Sequence, residues 1–352
     1  MKIKLHFLIA LFLMISIQQL GAQCSSDCNN SNTYFGSSPI PNNINNELNS
    51  IFGDSSGFSL TTGSRNSFFG SNSGKSDTRG GNNSFFGHKS GANNTFGDSN
   101  EFIGVYAGYN NISGGTNTFI GSSAGFNSID GSLNVFIGAS TGEQNLSGDE
   151  NTFIGASSGI SNSGNSNTFL GRSSGIHSTR GSGNIIIGRG AGPVRGSGNQ
   201  DLRLYIDVDT ESNSGNDNPL IYGEFDNDFV RINGTFEVTA GLTNPSSIAL
   251  KERFISVTPS LILDKISELN ISEWSYKTDP TVRHIGPTAE SFYQAFGLGT
   301  GDDNISTIDA DGISLVAILA LQEQSKAKDE LINSLEERLT KLEAIILELE
   351  KE

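Results

Sequence analysis

The chain of 352 residues contains little charge and few of the residues that form catalytic or metal-binding clusters. Only 17% of its residues are charged, and it has two cysteines, two methionines, one tryptophan and four histidines. The net charge is −16 and the basic residues form no dense run, which excludes nucleic acid as an expected partner. Because the histidines are scattered and two cysteines alone make a poor metal site, we expect no metal site and no cofactor.

Long hydrophobic runs are also missing, apart from a short one near the start. Two lysines precede the apolar residues 7–17, and small residues follow at Gly21 and Ala22. This pattern predicts a secretory signal peptide over residues 1–22, since the run is too short to span a bilayer. The mature chain is therefore expected to be secreted or held at the cell surface, with no membrane span.

The only two cysteines follow directly, in the N-terminal segment 23–49. Cys24 raises the alternative of a lipoprotein signal, which Gln23 before it disfavours. In an oxidising compartment Cys24 and Cys28 could instead form a small disulfide.

A unit of 17 residues occurs nine times over residues 50–194, with one interval of 16. Each unit has two adjacent apolar residues, a glycine, and a second glycine four residues later. The first glycines are Gly53, Gly70, Gly87, Gly104, Gly121, Gly138, Gly155, Gly171 and Gly188. Each unit predicts one short strand, a tight bend and a polar loop. Because such units are stable only when stacked, we predict a β-roll or β-helix rod of roughly 40 Å.

The two apolar residues of each unit, such as Phe136 and Ile137, are neighbours on one strand. Neighbouring strand residues point to opposite faces, so both stay dry only if both faces are covered. A thin single-chain solenoid covers one face well and the other poorly. Three chains around a common axis would cover both faces, and we therefore predict a homotrimer.

Five of the nine bends match G-x-S-x-G, the pattern around a hydrolase nucleophile. No histidine accompanies each of them, so a bend that requires small residues is the favoured explanation. The phrase N-x-F-I-G-x-x-A/S-G resembles the head repeats of trimeric bacterial adhesins, although those units are usually shorter. The resemblance implies an adhesive role.

The pattern changes over residues 195–245. Segments 202–209, 219–234 and 235–242 alternate apolar and polar residues between turn residues. We predict short antiparallel or wrapped strands that form a β neck.

The C-terminal hundred residues predict an α+β domain. Thr258 before Pro259 is a typical helix start, and Trp274 and Tyr276 alternate with a serine on a predicted strand. A second helix is predicted to begin at Pro287, and Gly297 is predicted to end it.

Four separated blocks in this region, "SSIALKERF", "WSYK", "RHIGPTAESFYQAFGLG" and "ISTIDADGISLVAILAL", resemble one known domain. It is the intramolecular chaperone at the end of phage tail spikes and fibres, the peptidase S74 or endosialidase-chaperone family. The resemblance extends from Ser246 to Leu321, and we place the domain at 246–317. It implies a domain that trimerises, guides the folding of the preceding fibre and then cuts itself off.

Members of that family use a serine and a lysine five residues later, and Ser246 and Lys251 fit this spacing. A lysine amine whose pKa is lowered by burial can take the serine proton, so that the serine attacks the adjacent carbonyl. The cut would fall between Pro245 and Ser246. Many members have an aspartate directly after the serine, whereas this chain has Ser247. Ser247 is therefore a second, weaker candidate for the nucleophile. A turn-capping serine beside a solvated lysine is the alternative interpretation. We assign His284 a structural hydrogen bond rather than a place in a triad.

The last segment is helical from about Ile313, and we predict a coiled-coil helix over 318–352. Leucines and isoleucines follow heptad spacing and form a broad stripe, which favours more than two strands. They are Leu321, Leu331, Ile332, Leu335, Leu339, Leu342, Ile345, Ile346 and Leu349. An ordinary core helix is the alternative.

Together these features predict an exported, trimeric, fibre-like surface protein, with a host or surface glycan or protein as its receptor. The only catalysis expected is one self-cleavage per chain. Two alternatives are a glycan-cleaving enzyme of the tail-spike type, which would need carboxylates along a groove, and a passive matrix component.

Overall fold

The computed structural model describes residues 32–36, 47–197, 199–208, 218–239, 243–277 and 279–349. The predicted signal peptide and both cysteines lie outside these ranges. The chain divides into two compact units, Met1–Glu237 and Val238–Glu352.

A parallel β-solenoid forms most of the first unit. Ten strands of three residues lie side by side in chain order, and each pairs in register with the next. They are β1 (Thr33–Phe35), β2 (Ser50–Phe52), β3 (Ser67–Phe69), β4 (Ser84–Phe86), β5 (Glu101–Ile103), β6 (Thr118–Ile120), β7 (Val135–Ile137), β8 (Thr152–Ile154), β9 (Thr168–Leu170) and β10 (Ile185–Ile187). The predicted β rod of stacked units is confirmed.

The solenoid has one turn more than the nine repeats recognised in the sequence. Its first strand, β1, pairs with β2 in the same register as all later strands. This turn escaped detection because Ile40 occupies the position of the second glycine, although Gly36 keeps the first.

Two glycines of each repeat are required by close approaches of backbone and ring. Gly121 has a φ of +137°, and a Cβ there would lie 2.4 Å from the carbonyl oxygen of Gly138 in the next turn. Gly125 has a φ of +59°, and a Cβ there would lie 2.4 Å from the Phe119 ring. A larger residue would therefore press against the next turn at Gly121, and against the Phe119 ring of its own turn at Gly125.

The first apolar residue of each repeat fills the interior. From Phe68 to Phe169 these phenylalanines have no exposed surface, and successive rings stack with centroids 4.7–5.0 Å apart. The interior of each turn is shielded from water because the turns on either side cover it.

A second interior ladder consists of asparagines, which the sequence reading had not identified as buried. The Asn100 side chain accepts a hydrogen bond from the backbone N–H of Asn117 in the next turn (3.0 Å) and donates one to the carbonyl of Gly114 (2.8 Å). The same pattern recurs along the solenoid, so each amide satisfies backbone groups that would otherwise be buried without a partner.

The second apolar residue of each repeat forms an outer ladder on the opposite face of the strands. We use this name for Phe35, Phe52, Phe69, Phe86, Ile103, Ile120, Ile137, Ile154, Leu170 and Ile187. All of its members retain exposed surface in the single chain, for example 40% at Phe86 and 46% at Leu170. A single chain thus covers only one of the two apolar ladders.

We expect Phe119→Ala to reduce the free energy of unfolding by about 3–5 kcal/mol, because it leaves a cavity between two stacked rings. Urea unfolding of the full chain, followed by circular dichroism, measures this loss. Phe96→Ala is the matched control, since Phe96 lies on the same solenoid but is half exposed. Equal losses in the two variants would contradict the interior ladder as the main source of stability.

One buried position in the solenoid carries a carboxylate in place of an amide. Asn111 donates to Asn94 (2.7 Å), Asn94 donates to Asp77 (2.9 Å), and Leu60 occupies the same position one turn earlier. Asp77 therefore ends this row as an acceptor, and it also accepts from the backbone N–H of Gly80 (2.8 Å). Burial raises the pKa of Asp77 from 3.8 to about 8, with the charge of Asp98 adding a smaller contribution.

Because the folded state holds this proton more tightly than the unfolded state, the contribution of Asp77 to stability falls as the pH rises from 3.8 to about 8. We expect Asp77→Asn to remove that fall. Relative to the variant, the wild type should lose at least about 1.4 kcal/mol of unfolding free energy across this window, the equivalent of a tenfold change in proton affinity. Unfolding of both proteins at the two ends of the window measures it, and parallel pH profiles would contradict it.

Three further strands continue the same sheet after the solenoid. Strand β11 (Arg203–Ile206) is parallel to β10, whereas β12 (Ile221–Glu224) and β13 (Phe229–Ile232) are antiparallel additions. The strands predicted within 202–209 and 219–234 are present. Residues 235–239 form no strand, so the prediction of a strand over 235–242 is wrong for its described part.

The second unit contains a short antiparallel pair, β14 (Ser272–Tyr276) and β15 (Asp279–Gly286), and three helices. Helix α1 (Pro259–Ser267) begins at the predicted proline, and α2 (Ala289–Phe296) ends at Gly297, which is left-handed. Thr288 caps α2, so this helix begins two residues after Pro287.

Helix α3 (Thr307–Leu349) is continuous and starts six residues before the predicted Ile313. Helix α1 packs against α3, and the small core of this unit contains Ile262, Phe292 and Ala320. The leucines and isoleucines predicted to form a coiled coil are about half exposed along α3.

Candidate self-cleavage site

The residues before α1 form a tight turn that brings a serine and a lysine together. Residues Ile248–Leu250 make one turn of 3-10 helix, closed by a hydrogen bond from the backbone N–H of Lys251 to the carbonyl of Ile248 (3.2 Å). This reversal returns the chain toward Ser246, which explains why a spacing of five residues can place the two side chains in contact.

The Lys251 amine donates a hydrogen bond to the hydroxyl of Ser246, with Nζ and Oγ 2.6 Å apart. A general base must lie within about 2.6–3.2 Å of the heavy atom whose proton it removes, and this distance satisfies that requirement. A neutral lysine amine at this position could accept the hydroxyl proton and activate the serine oxygen.

Ser247, the alternative nucleophile, has a structural contact. Its hydroxyl accepts a hydrogen bond from the backbone N–H of Ala249 (3.3 Å) and so caps the 3-10 turn. Ser247 therefore has the turn-capping role that we considered for Ser246. Ser246 is hydrogen-bonded to Lys251 instead.

The site is exposed in the single chain, together with the apolar residues around it. Ser246 and Lys251 are both exposed, as are Ile248 (78%), Leu250 (71%) and Phe254 (69%). A lysine amine becomes neutral more easily when it is removed from water. In the single chain, this lysine remains in contact with water.

His284 lies on β15, opposite Trp274 on β14. Its ring stacks on the Trp274 ring (4.8 Å between centroids) and meets the Tyr276 ring edge-on (5.3 Å). Its ring thus lies in a small aromatic cluster, and the expected structural hydrogen bond stays a prediction.

The G-x-S-x-G bends of the solenoid have a backbone explanation. Their central serines all adopt left-handed backbone angles, with φ between 54° and 58°. They are Ser55, Ser123, Ser140, Ser157 and Ser173. A bend with this geometry favours small or polar residues, which accounts for the pattern without catalysis.

Among the described residues, no three histidine, cysteine, aspartate or glutamate side chains are grouped so that they could bind a metal ion. Within the same ranges, the chain forms no helix of the length and apolar character needed to cross a membrane.

Comparison with known proteins identifies the segment that carries the serine and the lysine. Searches of curated proteins and of solved structures each gave no significant match. A family model matches residues 246–297, so the fourth block of the resemblance, in α3, lies beyond it. The segment that begins at Ser246 and follows the β-solenoid is therefore similar to the peptidase S74 family, described as the chaperone of endosialidase.

Proposed function

We propose that this protein is an exported, trimeric, adhesive fibre whose C-terminal segment assembles the three chains and then releases itself. The observation that carries the proposal is the continuous outer ladder, which a single chain leaves uncovered. The family match and the solenoid both fit a fibre-like protein with an intramolecular chaperone.

The outer ladder supports a trimer through its length and regularity. It presents one apolar side chain per turn over ten turns, and Phe52, Phe69 and Phe86 stack with centroids 4.7 and 4.8 Å apart. Contiguous apolar strips of this length are unusual on soluble single chains and mark interaction surfaces. Because the ladder runs along a straight row of identical strands, another copy of the same row is the surface that matches it best.

The second unit supports the same conclusion independently. Its core is small, while Leu335, Leu342 and Leu349 on α3 are between 49% and 66% exposed. Apolar residues at heptad spacing are buried when such helices wrap around each other. We infer that α3 forms a trimeric coiled coil. The coiled-coil segment 318–352 would then hold three chains together directly after the domain 246–317.

An assembly domain also solves a problem that the repeats create. Since the turns are nearly identical, three chains could pair with a slip of one turn at little cost in energy. A trimeric clamp at one end would align the chains before the solenoids pack, and this is the role that the family description implies.

The contact between Ser246 and Lys251 supports the proposed self-cleavage. Packing of neighbouring chains around the exposed apolar segment would cover Ser246 and Lys251. The amine takes the Ser246 hydroxyl proton while Oγ attacks the Pro245 carbonyl carbon, and the proton then passes to the leaving nitrogen of Ser246. This forms an ester between Pro245 and the Ser246 oxygen, and water hydrolyses it to give a new carboxylate and a new N-terminus.

Export and adhesion complete the proposal. The signal-like sequence at residues 1–22 supports export, and the resemblance of the repeats to trimeric adhesin heads supports attachment to a surface. A glycan or protein on a host or neighbouring surface is the receptor class that this role requires.

Comparing the full chain with a chain that ends at Pro245 tests the assembly role. We expect the full chain to give soluble trimeric solenoids and the shortened chain to aggregate or remain unassembled. Correct trimers from the shortened chain would contradict the proposal. Incubation of the trimer with glycans also tests the enzyme alternative, since turnover would favour it, whereas neither binding nor turnover would favour a passive matrix role.

A further inference from the structure

One face of the solenoid carries aromatic side chains that the interior does not use. We call His88, Tyr106, Tyr109 and Phe126 the aromatic patch. The rings of Tyr109 and Phe126 stack at 5.0 Å, and Tyr106 meets both of them edge-on at 5.5 and 5.9 Å. His88 meets Tyr106 edge-on at 5.7 Å. The patch thus extends over three consecutive turns.

Tyr106 occupies a position that the other repeats give to small or flexible polar residues. Its φ is +60°, and the equivalent residues, which include Ser55, Asn72 and Ser123, have nearly the same φ. A bulky aromatic residue is strongly disfavoured in this left-handed region. Backbone strain of this kind is retained most often at functional sites, so Tyr106 needs an explanation other than folding.

A row of amide side chains runs directly beside the patch. We call Asn93, Asn110, Asn127 and Gln144 the amide row. Asn93 donates to Asn110 (2.9 Å), Asn110 donates to Asn127 (2.8 Å), and Asn127 donates to Gln144 (3.2 Å). Asn110 follows Tyr109 in sequence, and Asn127 follows Phe126, so rings and amides alternate on the same bends.

The amide row has unused hydrogen-bonding capacity. An amide side chain can donate two hydrogen bonds and accept two. Asn110 and Asn127 each donate one and accept one within the row, and both are only partly buried. Each turn therefore offers a further donor and acceptor to solvent at the inter-strand spacing of about 4.8 Å.

One lysine and one glutamate flank this surface. The Lys89 ammonium lies 5.4 Å from the centre of the Tyr106 ring at one end, and Glu143 precedes Gln144 at the other. The whole chain has a net charge of −16, which disfavours an acidic ligand. A suitable ligand is neutral, has apolar faces for the rings, and carries hydroxyl groups at regular intervals for the amides.

We propose that the aromatic patch and the amide row form a binding site for a neutral, linear oligosaccharide that lies along the solenoid. Sugar rings offer C–H faces to the aromatic side chains and hydroxyl groups to the amide row, and successive sugars would meet successive turns. This inference rests on the proposed adhesive function and names its ligand class and its location.

The test uses the full chain and two neutral probes, cellohexaose and chitohexaose, with polysialic acid as the acidic comparison. The wild type should bind at least one neutral probe, and Tyr106→Asn should bind it at least tenfold more weakly, the effect of losing one aromatic contact. Asparagine tolerates left-handed backbone angles better than tyrosine does. The thermal midpoint of the Tyr106→Asn protein should therefore stay unchanged or rise. Phe58→Asn is the matched control. Phe58 occupies the same position in its repeat as Tyr109 but lies outside the patch, so this variant should bind the probe as the wild type does.

Several results would overturn the inference. These are equal binding by Tyr106→Asn, a lowered thermal midpoint in that variant, or binding of polysialic acid alone or of neither neutral probe. Attachment of the assembled protein to glycan-bearing cells separates this inference from the proposed function. If wild type and Tyr106→Asn attach equally well, the site is wrong and adhesion stands, whereas a wild type that attaches to no surface removes both.

Discussion

Replacing Ser246 by alanine should leave the chain at its full length, whereas the wild type should separate into fragments that end at Pro245 and begin at Ser246. The alanine lacks the oxygen that contacts the Lys251 amine at 2.6 Å, so no ester can form. Lys251→Met should block the cut equally, because it keeps the length of the side chain but removes the base. Intact-mass measurement after folding identifies both fragments directly.

The neighbouring serine provides the control for this result. Ser247→Ala removes only the cap of the 3-10 turn and should still cleave, with a loss of about 1 kcal/mol in local stability. A wild type that remains at full length after folding would contradict self-cleavage. Equal fragments from wild type and Ser246→Ala would also contradict it and would indicate another protease.

Placing one charge in the outer ladder should separate the chains. Ile120 is at the middle of the ladder, between Ile103 and Ile137 on the adjacent strands. In a trimer, Ile120→Asp would bring three carboxylates into an apolar interface, and each buried, unpaired charge costs several kcal/mol. Once the cut at Ser246 has released the coiled-coil segment, we expect single solenoid chains in analytical ultracentrifugation, with the β-rich circular dichroism of the solenoid retained, because Ile120 points away from the interior.

Ser122→Asp is the matched control for this variant. Ser122 lies two residues later in the same turn and is exposed on the bend, so a charge there should leave the trimer intact. An Ile120→Asp solenoid that remains trimeric after release of the coiled-coil segment would show that the outer ladder is not the interface between chains.

Much of the solenoid could be predicted from the sequence because its physical causes repeat. A glycine that avoids a 2.4 Å clash with the next turn, as at Gly121, must recur wherever the turn recurs. The same holds for Phe119 and Ile120, whose adjacency indicated that one faces inward and the other outward. Strand length, register and the separation into two ladders therefore followed from spacing alone.

Other features could not be predicted, because they depend on partners that are distant in the chain. The asparagines recur once in each repeat, but from the sequence they were assigned to the polar loops. Only the stacking of turns shows that Asn100 and Asn117 are buried. Asp77 ends a row of amides because Leu60 lies one turn away, a relation that one repeat does not reveal. The first turn was missed because it lacks the second glycine.

The proximity of Ser246 and Lys251 could be anticipated from the sequence, whereas the surroundings of the pair could not. Spacing and resemblance indicated Ser246 and Lys251, and the 3-10 turn explains how that spacing produces contact. The sequence did not reveal that Ser247 would cap the turn. It also did not reveal that both Ser246 and Lys251 would be exposed in a single chain, since burial depends on how chains pack.

Sedimentation equilibrium of the folded Ser246→Ala protein at micromolar concentration tests the central claim most directly, because this variant keeps its assembly segment. Three chains should sediment as one particle, with the outer ladders buried against one another. A folded β-solenoid that sediments at the mass of a single chain would contradict the account, since ten turns of exposed apolar side chains would then remain in water.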